Sequence, residues 1–174
     1  MILLVETGEG LPDTNSYIAT ADIEKYMPMS VYKKFLELSA EDQTDYAIIA
    51  SLFIDYSFNW IGQRKTLEQG MSWPRTGAVF QQHEIPDDYI PFQIKRACIT
   101  AISLIMQYGI GVFQDTAEAQ VKKEKLGALE TEYFEAIKSY FSDSSEYSDI
   151  NNMLRGFFTV PNFSGVMTAE VIRK

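Results

Sequence analysis

One histidine, His83, and one cysteine, Cys98, are all that 174 residues provide of the side chains most used as base, thiol nucleophile or soft metal ligand. A serine nucleophile needs a base within reach and a glycine-framed elbow to present it. His83 stands in a loop flanked by prolines, and no such elbow occurs anywhere in the chain. A surface or loop-packing role suits this histidine better than catalysis. With one His and one Cys, a metal site would have to be built from carboxylates, and Asp87 with Asp88, or Asp143 with Glu146, read as solvated loop charges. Gly8 and Gly10 are followed by LPDTNSY, without the Lys and Ser or Thr that a phosphate-cradling loop requires. A single cysteine excludes a disulfide within the chain, and a small buried hydrophobe is its ordinary reading. The expectation is no catalysis, no metal and no cofactor, which leaves binding or assembly.

The charge balance bears on what is bound. A net charge of −9 makes the surface as a whole repel nucleic acid and anionic lipid, since both draw on Lys and Arg to neutralise phosphate. Positive charge is concentrated only at Arg64 with Lys65, at Lys95 with Arg96, and at Lys122, Lys123 and Lys125. Ten tyrosines and eleven phenylalanines are many for so acidic a chain, and aromatic side chains serve both cores and interfaces. The length suits one domain with a real core. Met1 to Val5 is too short and lacks the basic flank of a signal peptide, and no stretch approaches the length of a membrane span.

The elements that must position these residues are mostly helical by pattern. Ile94, Ala97, Cys98, Ala101, Ile105 and Tyr108 recur at helical spacing, with Arg96, Thr100, Ser103 and Gln107 opposite, Pro91 at the start and Gly109 as the stop. The small residues within that stripe permit close approach of a second helix. Its partner is the helix predicted from Ala40 to about Tyr56, capped by Ser39 with Asp42 and apolar nearly all round between Tyr46 and Ile54. Upstream, ETGEGLPDTNS over 6–16 is a run of turn formers; short helices follow, capped by Thr20 and Ser30. After Asn59 no helical period can be followed through the polar stretch to Gly70; Trp73 then precedes Pro74 and is therefore extended, plugging the end of the helix pair. Ala78 to Asp88 reads as loop. Around Gly127, basic residues precede and acidic residues follow, so a hairpin would set opposite charges across from each other; the alternative is a helix from Thr116 to Tyr140 interrupted at Gly127. Ser142 to Ser148 reads as a polar linker, and Asp149 caps a last short helix that stops at Gly156. Phe157 to Lys174 alternates apolar residues around Pro161 and Gly165, which suits an extended segment seeking a partner.

Four stretches in this order, VETGEGLPDTNSYI at Val5 to Ile18, QGMSWPRTG at Gln69 to Gly77, IPFQIKRACITA at Ile90 to Ala101 and VKKEKLGALETEY at Val121 to Tyr133, resemble a family of tailed-phage virion proteins. That family is labelled both DnaT-like single-stranded-DNA-binding and head-tail connector. The resemblance implies a mostly helical adaptor that forms a homo-oligomeric ring beneath the portal, in the virion neck, after synthesis in the host cytoplasm. Its partners would be further copies of itself, the portal protein, and tail or other neck proteins, with no membrane involved. The fold expected is mainly α: a small helical bundle with a short β-hairpin and an extended C-terminal arm. Residues 1–156 would form the adaptor domain, with the hairpin inserted at about 120–134, and residues 157–174 the assembly arm.

Two readings follow. As an adaptor, the acidic chain would let DNA pass without specific binding, and protein contacts would come from Lys122, Lys123, Lys125, Glu130 and Glu132 on the hairpin and from Phe157, Phe158, Phe163, Val166, Val171 and Ile172 on the arm. As a single-strand binder of the replication type, it would use Arg64, Lys65, Arg75, Lys95 and Arg96, with Trp60 and Trp73 as stacking surfaces, because such proteins pair a cationic groove with aromatic rings. The adaptor reading fits the overall charge better. A small enzyme whose site forms between subunits is a third class, with no motif behind it.

Overall fold

The Ser39 hydroxyl accepts a hydrogen bond from the Asp42 amide at 3.0 Å and donates to the Asp42 carboxylate at 2.7 Å, which satisfies an orphan donor in the first turn of the helix that begins there. That helix, α2, runs Ala40–Ser57 and buries Ala47, Ile48, Ala50, Ser51, Ile54 and Asp55. Its partner α3 spans Phe92–Tyr108 and buries a face from Ile94 to Ile105; Gly109 ends it with φ 85° and an amide bonded to the Ile105 carbonyl at 2.8 Å. Small residues on both buried faces, Ala47 and Ala50 against Ala97, Cys98 and Ala101, let the two helices pack closely. The pairing and the bounds agree with the pattern in the sequence. Tyr108 departs from it: at the helix end it is half exposed. A fourth helix, α4 (Ser145–Leu154), packs on α3 through Ile150 and Leu154.

The computed structural model describes residues 1–110, 123–126, 129–132 and 145–159. Within these, the expectation of a mainly helical bundle is corrected: the fold mixes helices with antiparallel strand pairs. Gln63–Arg64 (β1) pairs with Arg75–Thr76 (β2), Val79–Phe80 (β3) with His83–Glu84 (β4), and Lys123–Leu126 (β5) with Leu129–Glu132 (β6). The first two pairs occupy stretches with no regular element in the pattern, only the second of which reads as loop, because strands of two residues carry no alternation to detect and are held by the segments that dock around them. In the third pair Lys123 stands opposite Glu132 and Lys125 opposite Glu130.

Smaller departures have local causes. The helix expected after Thr20 is a six-residue 3-10 turn, Thr20–Lys25, preceded by Ala19. The next, α1 (Met29–Leu36), starts directly after Pro28 rather than at a Ser30 cap, proline being well suited to a helix start. The last helix begins at Ser145, inside the stretch read as linker. Beyond it, Phe157 is fully buried and stacks on Phe80 with ring centroids 4.2 Å apart, Phe158 bridges Trp60, and the Thr159 amide bonds the Asn59 carbonyl at 2.7 Å. The start of the expected arm is thus packed against the domain. Residues 160–174 lie outside the described residues.

Candidate nucleic-acid interface

The N-terminal turn-former run is organised by one buried carboxylate. Glu6 accepts from the amides of Gly8 at 2.8 Å, Gly10 at 3.0 Å and Leu11 at 2.9 Å, and from the Thr14 hydroxyl at 3.3 Å. Gly8 and Gly10, with φ 109° and 75°, let successive amides turn inward onto it. A side chain at Gly8 would meet the Asp88 carbonyl at 1.9 Å, so this loop lies directly against the segment that leads into α3. On its other side it holds the stretch after α2: Lys65 Nζ donates to the Gly8 carbonyl at 3.1 Å, Thr66 Oγ1 to the Gly10 carbonyl at 3.2 Å, and the Gly70 amide to the Leu11 carbonyl at 2.9 Å.

A second buried carboxylate, Asp55 near the end of α2, fixes the far end of the same stretch. It accepts from the Tyr17 hydroxyl, from the Ser72 amide at 2.8 Å and from the Ser72 hydroxyl at 3.1 Å, while the Tyr17 oxygen accepts from the Trp73 amide at 3.0 Å. Burial raises the Asp55 pKa above the ordinary carboxylate range, opposed by its bonds from Tyr17 and Ser72 and by the Arg64 charge. Burial, with the neighbouring Asp55 charge, also pushes the Tyr17 phenol well up. Trp73 follows in a cis peptide with Pro74 and is wholly buried, edge-on to Trp60 at 6.0 Å and to Phe157 at 6.2 Å. Trp60 is buried too, and its indole N–H donates to the Asp55 carbonyl at 2.9 Å.

Between these anchors stands the β1–β2 ribbon, whose register sets Arg64 opposite Arg75. Like charges directly across a strand pair disfavour pairing unless other contacts hold it. Here Arg75 is wired into the backbone: Nε donates to the Ile61 carbonyl at 2.6 Å, and the two terminal nitrogens to the carbonyls of Ser72 at 3.0 Å and Gly62 at 2.7 Å. Burial lowers the Arg75 pKa, and Arg64 adds to the lowering. Arg64 is exposed, Lys65 is half-buried beside it, and among the described residues no carboxylate forms an ion pair with any of the three. Three cations thus lie together on and beside one small ribbon in an otherwise acidic chain, with the buried Asp55 as the acidic group that acts on Arg64 and Arg75.

Of the residues nominated from sequence for DNA binding, the structure therefore gathers Arg64, Lys65 and Arg75. Lys95 and Arg96 are on α3, half-buried and exposed respectively. Trp60 and Trp73 are core residues and offer no face for a base, which corrects their nomination as stacking surfaces. His83 is exposed on β4 opposite Phe80, and Cys98 is buried, its thiol pushed up to about 12 by burial. Among the described residues no cluster of His, Cys, Asp or Glu could hold a metal ion. Of the nominated partner contacts, Lys122, Phe163, Val166, Val171 and Ile172 lie outside the described residues. The two buried carboxylates, Glu6 and Asp55, went unremarked in the sequence; the glycine alternation after Glu6 is the signal for the first.

A family model described as "Putative DnaT-like ssDNA binding protein" matches residues 1–174, the whole chain. The chain belongs to this family. No curated protein and no solved structure matches it. Membership of the DnaT-like family corrects the adaptor reading drawn from the resemblance: the match supports neither a head-tail connector in the virion neck nor a portal partner, and its description conflicts with DNA passing without specific binding.

Proposed function

We propose that this protein binds single-stranded DNA, with the Arg64–Arg75 ribbon and Lys65 as its phosphate contacts. The observation that carries the reading is the placement of two arginines across one strand pair without a carboxylate partner, in a fold that spends Asp55, Ser72 and Gly62 on holding the ribbon in place. The exposed Arg64 guanidinium, free of other bonds among the described residues, suits the planar, bidentate recognition of phosphate oxygens, and the fixed Arg75 adds positive charge beside it. Net charge argued against DNA binding only as an average over the surface, and a strand is met by a patch. The family description points the same way.

Fluorescence anisotropy of a labelled oligothymidylate tests the reading through charge reversal. Arg64→Glu should weaken binding by about tenfold or more, while Lys25→Glu, at an exposed pair with Asp22 in another element, leaves it unchanged. Equal loss from both substitutions would make the effect one of net charge and contradict the site.

A further inference from the structure

The ribbon supplies charge but no ring for a base, since both tryptophans are buried. Exposed rings stand nearby, across the Glu6 loop. Lys65 bonds the Gly8 carbonyl, Gly8 lies against the backbone of Asp88, and the next residue is Tyr89, 45% exposed. Three residues on, in the first turn of α3, Phe92 is 44% exposed, and Arg96 follows at i+4, where helix geometry sets it on the same face as Phe92 and away from the buried stripe of Ile94, Ala97 and Cys98. Neither ring stacks on another aromatic residue among the described residues. Asp87 and Asp88 are also exposed on this turn, and their carboxylates would repel a phosphate placed directly over it.

We infer that the face formed by Tyr89, Phe92 and Arg96 is the base-stacking platform for the strand whose phosphates the Arg64–Arg75 ribbon holds, an inference that rests on the DNA-binding reading above. The occupant is an unpaired nucleobase. The platform is linked to the ribbon by a chain of contacts, Lys65 to the Gly8 carbonyl and the buried Gly8 to the Asp88 backbone, and the aspartates keep the phosphate backbone away from the turn while leaving its apolar rings for an uncharged base. Arg96 adds a guanidinium plane that can also stack on bases. Bases in a duplex are already stacked and paired, so the platform selects single strands.

The test uses the intact protein with two labelled probes of equal phosphate number, an oligothymidylate and a wholly abasic strand. The thymidylate should bind roughly tenfold more tightly, the scale of base–aromatic stacking. Phe92→Ala and Tyr89→Ala should each reduce thymidylate binding toward the abasic level and leave abasic binding unchanged, with Phe92→Trp retaining affinity and showing fluorescence quenching by thymidylate alone. Equal binding of both probes, or no effect of the ring substitutions while Arg64→Glu still weakens binding, overturns the platform and leaves the ribbon standing. Failure of the intact protein to bind either probe overturns both. Should an alanine variant fold poorly by circular dichroism, the Phe92→Trp quenching decides, and its absence counts against the platform.

Discussion

Arg64 faces Arg75 across the β1–β2 register, yet the two guanidinium groups have different duties. Arg75 is held by three backbone carbonyls, whereas no hydrogen bond or ion pair ties the exposed Arg64 among the described residues. Arg64→Ala should therefore keep stability within about 0.5 kcal/mol, as for a surface change, and lower the magnitude of the salt slope of binding by about 0.7, one phosphate contact on a single strand. Arg75→Ala should weaken binding and also cost roughly 2 kcal/mol or more, because three carbonyls lose a charged donor. Urea midpoints read beside the binding curves separate the two. Equal destabilisation by both changes would contradict this division.

The Asp55 carboxyl makes stability depend on pH in a stated direction. Its folded pKa is raised, so the native state holds a proton that the unfolded chain has released at the same pH. Its contribution is full below the ordinary aspartate value and is lost as pH rises through the folded value. Other carboxylates titrate in the same range, so the useful quantity is the difference in melting temperature between the native protein and Asp55→Asn. That difference should move in favour of the native protein on acidification toward pH about 4, where the unfolded aspartate protonates. A difference that is flat, or that moves the other way, would contradict the assignment.

Trp73 is predicted to be structural. Trp73→Ala should cost roughly 3 to 5 kcal/mol, the range for emptying a buried aromatic site. Its indole N–H has no hydrogen-bond partner among the described residues, so Trp73→Phe should retain most of the stability. If Trp73→Ala melted like the native protein and lost only DNA affinity, the ring would be a stacking surface after all.

Glu6 holds the loop that joins the ribbon to α3. Removing its carboxylate by Glu6→Ala leaves the amides of Gly8, Gly10 and Leu11 without their acceptor, and losing even two such bonds should cost about 3 kcal/mol. Hydrogen exchange would show this as faster exchange at Gly8, Gly10 and Leu11. Unchanged protection at these amides would contradict the role given to Glu6.

Long periodic segments were legible in the sequence because burial imposes their pattern. The α3 stripe, the Ser39 cap and the apolar α2 each follow from residues within one helix and its partner's face. The β1–β2 and β3–β4 pairs were not, since two-residue strands owe their register to loops that dock from elsewhere: Arg75 meets Ile61 and Gly62, and Gly8 meets Asp88, through contacts no local rule anticipates.

The site was half legible for the same reason. Arg64, Lys65 and Arg75 could be named as basic residues, but only tertiary structure sets Arg64 opposite Arg75 and seals the tryptophans inside. Phe92 and Arg96 stand four apart on the side of α3 away from Ile94 and Cys98, a pairing readable from the helix period. A net charge of −9 is a sum over the surface and conceals a small cationic ribbon.

The most direct measurement is the affinity of the intact protein for a labelled oligothymidylate across a salt series. The account predicts binding whose logarithm falls linearly with the logarithm of salt at a slope of about −2, the value for three phosphate contacts on a single strand, and a shallower slope for Arg64→Ala. Absence of binding even at about 20 mM salt, where phosphate contacts are strongest, or binding with no salt dependence, would contradict it.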